Sequence, residues 1–249
     1  MWDKDLNFLI RTVFRASKLA HEPFSVATKD AVGDLVTTAD LEIERFIMTE
    51  IKREYPLFDI IGEEFNPTNQ LSSNCFVIDP LDGTINFAHG LPIWGIQVAM
   101  VKKARVVASI IYLPALYEFY FACKDGAFLI TNPTEETLAP QFAKKIVVSK
   151  APPSKALYLV EGGDKFPALV RMNKFSRHWR YLCCTAVNSA WTAAGRLGGT
   201  ILRKDNIWDW LPGQYLVEQA GGVVLNKKGA HIAANSSLMA KLLLKEARL

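Results

Sequence analysis

The chain has little that would mark it for an oxidising compartment, a membrane or a nucleic acid. Only four cysteines occur in 249 residues: Cys75, Cys123, Cys183 and Cys184. They have no C-x-x-C spacing and no nearby His pairs, which argues against a zinc site or a disulfide framework. Reduced, buried thiols in a cytoplasmic protein are the expectation. No apolar run reaches the ~20 residues of a spanning helix. The opening Met1-Trp2-Asp3-Lys4-Asp5 is polar rather than signal-like. Charge of neither sign dominates: 29 Lys and Arg against 25 Asp and Glu leave +4. With no basic-aromatic interleaving, that does not describe a nucleic-acid binder. Repeats and low-complexity segments are lacking too. What is plentiful is apolar surface: hydrophobic residues make up 50%, enough for a sizeable core in one large domain or two closely joined ones.

Leu6, Leu9, Ile10, Val13 and Phe14 recur at helical spacing and predict an amphipathic helix that runs out near His21-Glu22-Pro23. A second is expected after Leu35-Val36-Thr37-Thr38-Ala39-Asp40. Its apolar face is Ile43, Phe46, Ile47 and Ile51, its N-cap Thr38 or Asp40, and its stop Tyr55-Pro56. The β-rich runs 93–101, 105–114 and 118–123, tightly connected, read as an antiparallel meander that continues past Asp125-Gly126. Polar 131–145 marks the expected boundary between an N-terminal α+β half (1–140) and a C-terminal α/β half (141–249). In the latter, strand candidates Ile146–Val148, Leu157–Val160, Thr200–Leu202 and Val223–Leu225 alternate with helix candidates Phe166–Phe175, Ala186–Arg196, Asp209–Ala220 and Ser236–Ala247. That alternation predicts a mixed or parallel sheet covered by helices.

Residues 75–87 organise the rest. Phe76-Val77-Ile78 reads as a buried strand that ends at Asp79-Pro80, because proline cannot extend a central strand, and Asp82-Gly83 is turn chemistry. Asp79 and Asp82 then bring two carboxylates to one point. Gly83 and Thr84 open a helix there, and its free N–H groups favour an anion. A divalent cation between acids and anion reconciles the two, and hard oxygen ligands suit Mg²⁺. By spacing alone a solvated turn accounts for the same residues. Two other acidic places stand out. Ile60-Ile61 leads into Gly62-Glu63-Glu64, which could simply face solvent. Trp208-Asp209 opens a helix ending at Gly221-Gly222, and Asp209 could simply be its N-cap.

The full string Asp79-Pro80-Leu81-Asp82-Gly83-Thr84-Ile85-Asn86-Phe87 resembles the first signature of the inositol monophosphatase family, Mg²⁺-dependent, lithium-sensitive phosphomonoesterases. Gly62-Glu63-Glu64 resembles the family's acidic pattern ahead of it. Trp208-Asp209, a helical stretch and Glu218-Gln219-Ala220-Gly221-Gly222 resemble the second signature. The resemblance runs from Lys29 to the C-terminal helix. It implies an α+β/α/β fold, the layered αβαβα sandwich of the inositol monophosphatase and fructose-1,6-bisphosphatase type. It implies that Glu63, Asp79 and the Leu81 carbonyl hold one Mg²⁺ and that Asp79, Asp82 and Asp209 hold a second. Glu63 would reach a weaker third ion through water. Gly83 and Thr84 would offer N–H groups to phosphate, with Asp82, Thr185 and Asp209 beside the substrate. Glu63 and Thr84 would activate water, assisted by Asp40 and Lys29. The implied reaction is direct hydrolysis of a phosphate monoester by metal-activated water, with no covalent nucleophile.

The substrate side departs from the family pattern. Where inositol-specific members carry an acid, this chain has Leu202, followed by Arg203 and Lys204; Cys183 replaces a small Gly. The default substrate implied is myo-inositol monophosphate. Fructose-1,6-bisphosphate, a 3′(2′),5′-bisphosphate nucleotide and histidinol phosphate are alternatives on the same core, and a non-catalytic partner-binding protein is the alternative of another class. Expected partners are a small phosphorylated polyol, sugar or nucleotide, with neither nucleic acid nor membrane. The family is commonly dimeric, so a homodimer is expected. Tyr112, Tyr117, Phe119 and Tyr120 suit an interface or the core equally.

Overall fold

The computed structural model describes residues 2–29, 35–162, 178–203, 206–227 and 229–246. The helix expected at Phe166–Phe175 and the cation Lys204 lie outside them. The first helix, α1 (Lys4–Ala16), is capped by Asp3, whose carboxylate accepts the Leu6 N–H at 2.9 Å. The second, α2 (Thr38–Glu54), starts from neither residue expected. Thr37 is the N-cap, and Asp40 is its capping-box partner three residues on. The reason lies upstream: β2 (Leu35–Thr37) pairs with β1 (Val26–Thr28) and keeps Thr37 extended. Ile43, Ile47 and Ile51 of α2 are fully buried, each worth about 1.5–3 kcal/mol.

The first sheet has the order β3 (Asp59–Gly62), β4 (Asn74–Asp82), β5 (Gly95–Lys102), β6 (Arg105–Leu113), β7 (Glu118–Cys123), β8 (Gly126–Thr131) and β9 (Lys144–Ile146). All neighbours are antiparallel except β3 and β4. The meander lies where expected. The strand carrying the first motif does not stop where expected. It runs through Pro80 to Asp82, which pairs with Gly95, and its register shifts between Asp79 and Asp82. A bulge lifts Pro80 out of the ladder, so the missing N–H breaks nothing. Both acids are thereby carried on a strand buried in the sheet. Alternation does the rest: Phe76, Ile78, Ile96 and Val98 pack under α1 and α2, whereas Cys75, Val77, Gln97 and Ala99 turn to the opposite face.

The second sheet runs β11 (Trp179–Arg180), β10 (Tyr158–Gly162), β12 (Gly199–Arg203), β14 (Ala230–Ala234), β13 (Val223–Lys227). It is mixed: β10 is parallel to β11 and β12, the other pairs antiparallel. Between the sheets lie α4 (Thr185–Ala193) and α5 (Ile207–Gln219), packed on Ile111, Leu113, Tyr120 and Ala122. On the far side α6 (Ser237–Glu246) buries Met239, Ala240 and Leu243 against Tyr158 and Ile201. The layers are therefore αβαβα. The short α3 (Thr84–Ala88) follows β4.

Several residues fall differently from expectation. Leu238 of α6 is exposed, and so is Cys183, although the cysteines are expected to be buried. Pro212 sits inside α5, past its first turn. Tyr112, Phe119 and Tyr120 belong to the core, and Tyr117 alone of that group is exposed. Among the described residues no helix is long and apolar enough to cross a membrane.

Candidate metal centre

Three acids from two distant parts of the sequence converge where β4 meets α5. Asp79, Asp82 and Asp209 each offer a carboxylate oxygen within 4.8 Å of the others, and all three are buried. Asp79 and Asp82 face one point because the bulge between them resets the alternation of β4. Asp209 is not the N-cap of α5. Asn206 is, and Asp209 stands in the first turn with its N–H bonded to the Asn206 carbonyl at 3.1 Å. Buried carboxylates this close repel one another, and an all-oxygen donor set of this kind fits a hard divalent cation.

The frame around Asp82 is the tightest part. Its Oδ2 accepts from the Thr185 hydroxyl at 3.0 Å, from the Cys184 thiol at 3.3 Å and from the Ala186 N–H. An acid of the first motif thus caps the N-terminus of α4, where the helix dipole favours negative charge. Gln97 Nε2 reaches Thr185 Oγ1 at 2.9 Å and Asp82 Oδ2 at 3.4 Å. Asp79 Oδ1 accepts the Leu81 N–H at 3.2 Å. Gly83 follows at φ +89°, and a Cβ there would lie 2.8 Å from the Ile93 carbonyl, so only glycine fits. Beside the trio is a cleft lined by Thr185, Asn188, Leu202, Asp209, Trp210 and His231.

Glu63 is not part of the trio. It belongs to an outer arm in which Lys29 Nζ donates to Glu63 Oε1 at 2.9 Å and to Glu64. Burial works against the Lys29 ammonium, but the charges of Glu63 and Glu64 outweigh it and raise its pKa. Burial pushes Glu64 up to about 7, more than Lys29 pulls it down. The arm is pinned from α2 by Glu44, fully buried, whose carboxylate accepts the N–H groups of Glu64 at 2.9 Å and Phe65 at 3.1 Å. Between arm and trio stand Asp40 and Thr84. The Thr84 hydroxyl lies 3.2 Å from Asp40 Oδ1 and 3.0 Å from the Leu81 carbonyl, and its one proton can go to either. Burial raises the Asp40 carboxyl, against the opposing hydrogen bonds of Thr37.

Two residues in these contacts are not singled out from the sequence, Glu44 and Gln97, and neither is Glu161 on β10. Each is polar yet buried within an apolar pattern. That pattern was the available signal: Gln97 interrupts Gly95–Met100, Glu161 follows Tyr158-Leu159-Val160, and Glu44 shares the face of Ile43, Ile47 and Ile51.

Comparison with known proteins agrees with this fold. The sequence profile of the inositol monophosphatase family matches residues 3–248. A Thermotoga maritima protein described as fructose-1,6-bisphosphatase/inositol-1-monophosphatase is 33% identical over 214 residues, 85% of this chain and 79% of that one. An inositol-1-monophosphatase of Rhizobium meliloti is 27% identical over 235 residues, 90% and 86% of the two chains. The solved structure of a Thermotoga maritima IMPase superposes with TM-score 0.84 at 28% identity, covering 98% of each chain. The family match makes this fold that of a phosphoric monoester hydrolase. The chain belongs to the inositol monophosphatase family.

Proposed function

We propose that this enzyme hydrolyses a small phosphate monoester with Mg²⁺ bound at Asp79, Asp82 and Asp209, and that myo-inositol monophosphate is its substrate. The observation that carries the reading is the convergence of those three buried carboxylates within 4.8 Å. Glu63 and the Leu81 carbonyl complete the donors for two or three ions. Bound there, Mg²⁺ would neutralise phosphate oxygens, acidify a water and stabilise the leaving alkoxide. The chain's own residues do the positioning. Asp40 accepts from Thr84 and turns its hydroxyl toward the attacking water, with Glu63 as base and Lys29 holding Glu63. The Gly83 and Thr84 N–H groups receive phosphate oxygens, and no side chain at Gly83 obstructs them. Thr185 and Leu202 form the substrate wall.

The alternative of a sugar bisphosphatase has a specific support. Leu202 offers no acid to bind polyol hydroxyls, and Arg203 follows it on β12; the Thermotoga relative's description pairs both activities. The family resemblance extends the reading to a lithium-sensitive cytoplasmic homodimer. A panel of phosphate esters assayed for released phosphate, with and without Mg²⁺ and Li⁺, tests it. The expected result is Mg²⁺-dependent release, fastest from inositol monophosphate; preference for a bisphosphate selects the alternative. Absence of Mg²⁺-dependent release from every ester would overturn both.

A further inference from the structure

Glu161 is a buried acid to which the reading above gives no task. It sits on β10 opposite Leu202 of β12 and is only 4% exposed. Burial raises its pKa, the Asn188 hydrogen bond opposes this, and the charge of Asp82 adds to it. Its Oε1 accepts the Leu182 N–H at 3.2 Å, the Cys184 N–H at 3.4 Å and Asn188 Nδ2 at 3.1 Å. The two backbone donors flank Cys183, which stands at φ +53°, a conformation disfavoured for any residue with a side chain. From the opposite side Asn86 Nδ2, in the first motif, donates to the Leu182 carbonyl at 2.7 Å and to the Ile93 carbonyl at 2.8 Å.

The segment clamped this way leads directly into α4. Its next groups, the Cys184 thiol, the Thr185 hydroxyl and the Ala186 N–H, all end on Asp82 Oδ2. We propose that Glu161 is a positioning residue for the metal centre: it anchors residues 182–186, and they fix the rotamer of Asp82. The inference rests on the metal-phosphatase reading of the trio. A carboxylate suits the task because one oxygen can accept several N–H groups, and charge-assisted bonds are roughly twice as strong as neutral ones. Without that anchor the Cys183 turn can relax, and the three donors to Asp82 move with it.

The test uses the whole chain stripped of metal by a chelator, with Glu161→Ala and Glu161→Gln beside the parent. Mg²⁺ binding is measured by calorimetry, unfolding by circular dichroism without Mg²⁺, and kcat and KM by phosphate release. Glu161→Ala is expected to bind Mg²⁺ about tenfold more weakly, at the low end of what lost outer partners of a metal ligand cost. Its kcat should fall while KM for the ester stays near the parent's. Glu161→Gln keeps an acceptor oxygen and should lose only about threefold in Mg²⁺ affinity. A folded Glu161→Ala that melts lower but binds Mg²⁺ like the parent overturns the proposal, since a merely structural acid would behave so. If Glu161→Ala does not fold, Glu161→Gln decides: weakened Mg²⁺ binding with parent-like unfolding supports positioning, and parent-like binding overturns it. A parent that takes up no Mg²⁺ and hydrolyses no ester would instead remove the reading underneath.

Discussion

The two acidic regions of this site are built on opposite plans. Asp79, Asp82 and Asp209 are buried on a strand and a helix, crowded with like charge, and framed by donors from α4 and β5. Glu63 and Glu64 lie on the connection after β3, and Lys29 already balances them. The inner trio gathers three carboxylates into an all-oxygen donor set that suits a divalent cation; the outer arm shares one ammonium, Lys29, between its two acids. On the reading proposed above, the trio is the part that takes up the cation. The arm is suited to a group that must be held in place and released, and Glu63 meets any ligand as a partner it shares with Lys29.

Removing one charge from the trio is the strongest way to break that contrast. Asp209→Asn should lower kcat by about a hundredfold or more, since a direct ligand costs at least as much as its outer partners. Its fold should be retained, read by circular dichroism without Mg²⁺, because asparagine has nearly the shape of aspartate. In thermal melts the parent should gain stability on adding Mg²⁺ and the variant should gain far less. A variant with near-normal turnover would contradict the role given to Asp209.

Glu63→Gln sharpens the contrast from the other side. Activity should fall by about tenfold or more, while the trio still takes up Mg²⁺ with an affinity lowered less than in Asp209→Asn. Complete loss of Mg²⁺ uptake, read by calorimetry, would show that arm and trio are one unit and the comparison false.

How far the sequence reveals this site follows from how local each feature is. The helices, the meander and the acidic positions announce themselves through periodicity and motif. The path of β4 does not, because the rule that proline ends a strand is local, whereas pairing with β5 carries the chain past Pro80 through a bulge. Strand β14 is hidden for the same reason: Ala230-His231-Ile232-Ala233-Ala234 has little β character, and its place between β12 and β13 makes it a strand. The partners of Asp82 at the start of α4 are more than a hundred residues away in sequence. The apolar pattern around Glu44 and Glu161 marks them as buried, but which backbone N–H groups bond to them is not legible in the sequence.

Glu44 tests what holds the outer arm. Replacing it by Leu leaves the Glu64 and Phe65 N–H groups without their acceptor, at a cost of about 2 kcal/mol. Urea unfolding should show a lower midpoint with an unchanged slope. Mg²⁺ uptake by the trio should change little, because Glu44 touches none of its carboxylates. A cost below about 0.5 kcal/mol would mean that water replaces the carboxylate and the arm is not pinned from α2.

The smallest effect is expected far from both regions, at the ion pair between Arg196 and Glu118. Arg196 Nη2 lies 2.6 Å from Glu118 Oε1, and the arginine is well exposed, so solvent screens the pair and Arg196→Ala should cost under about 1 kcal/mol. Its pH dependence fixes the sign. Burial alone would raise the Glu118 carboxyl, but its bonds from Arg196 and Tyr120 win, and its pKa lies below the ordinary 4.5. A lowered folded value means stabilisation that is complete above 4.5 and lost as pH falls through the folded value. Parent and variant should therefore differ most near neutral pH and converge in acid, with kcat and Mg²⁺ affinity the same in both. A gap that stays constant on acidification would mean that the arginine acts through its stacking on Trp191, at 5.7 Å from the ring centre, rather than through its charge on Glu118.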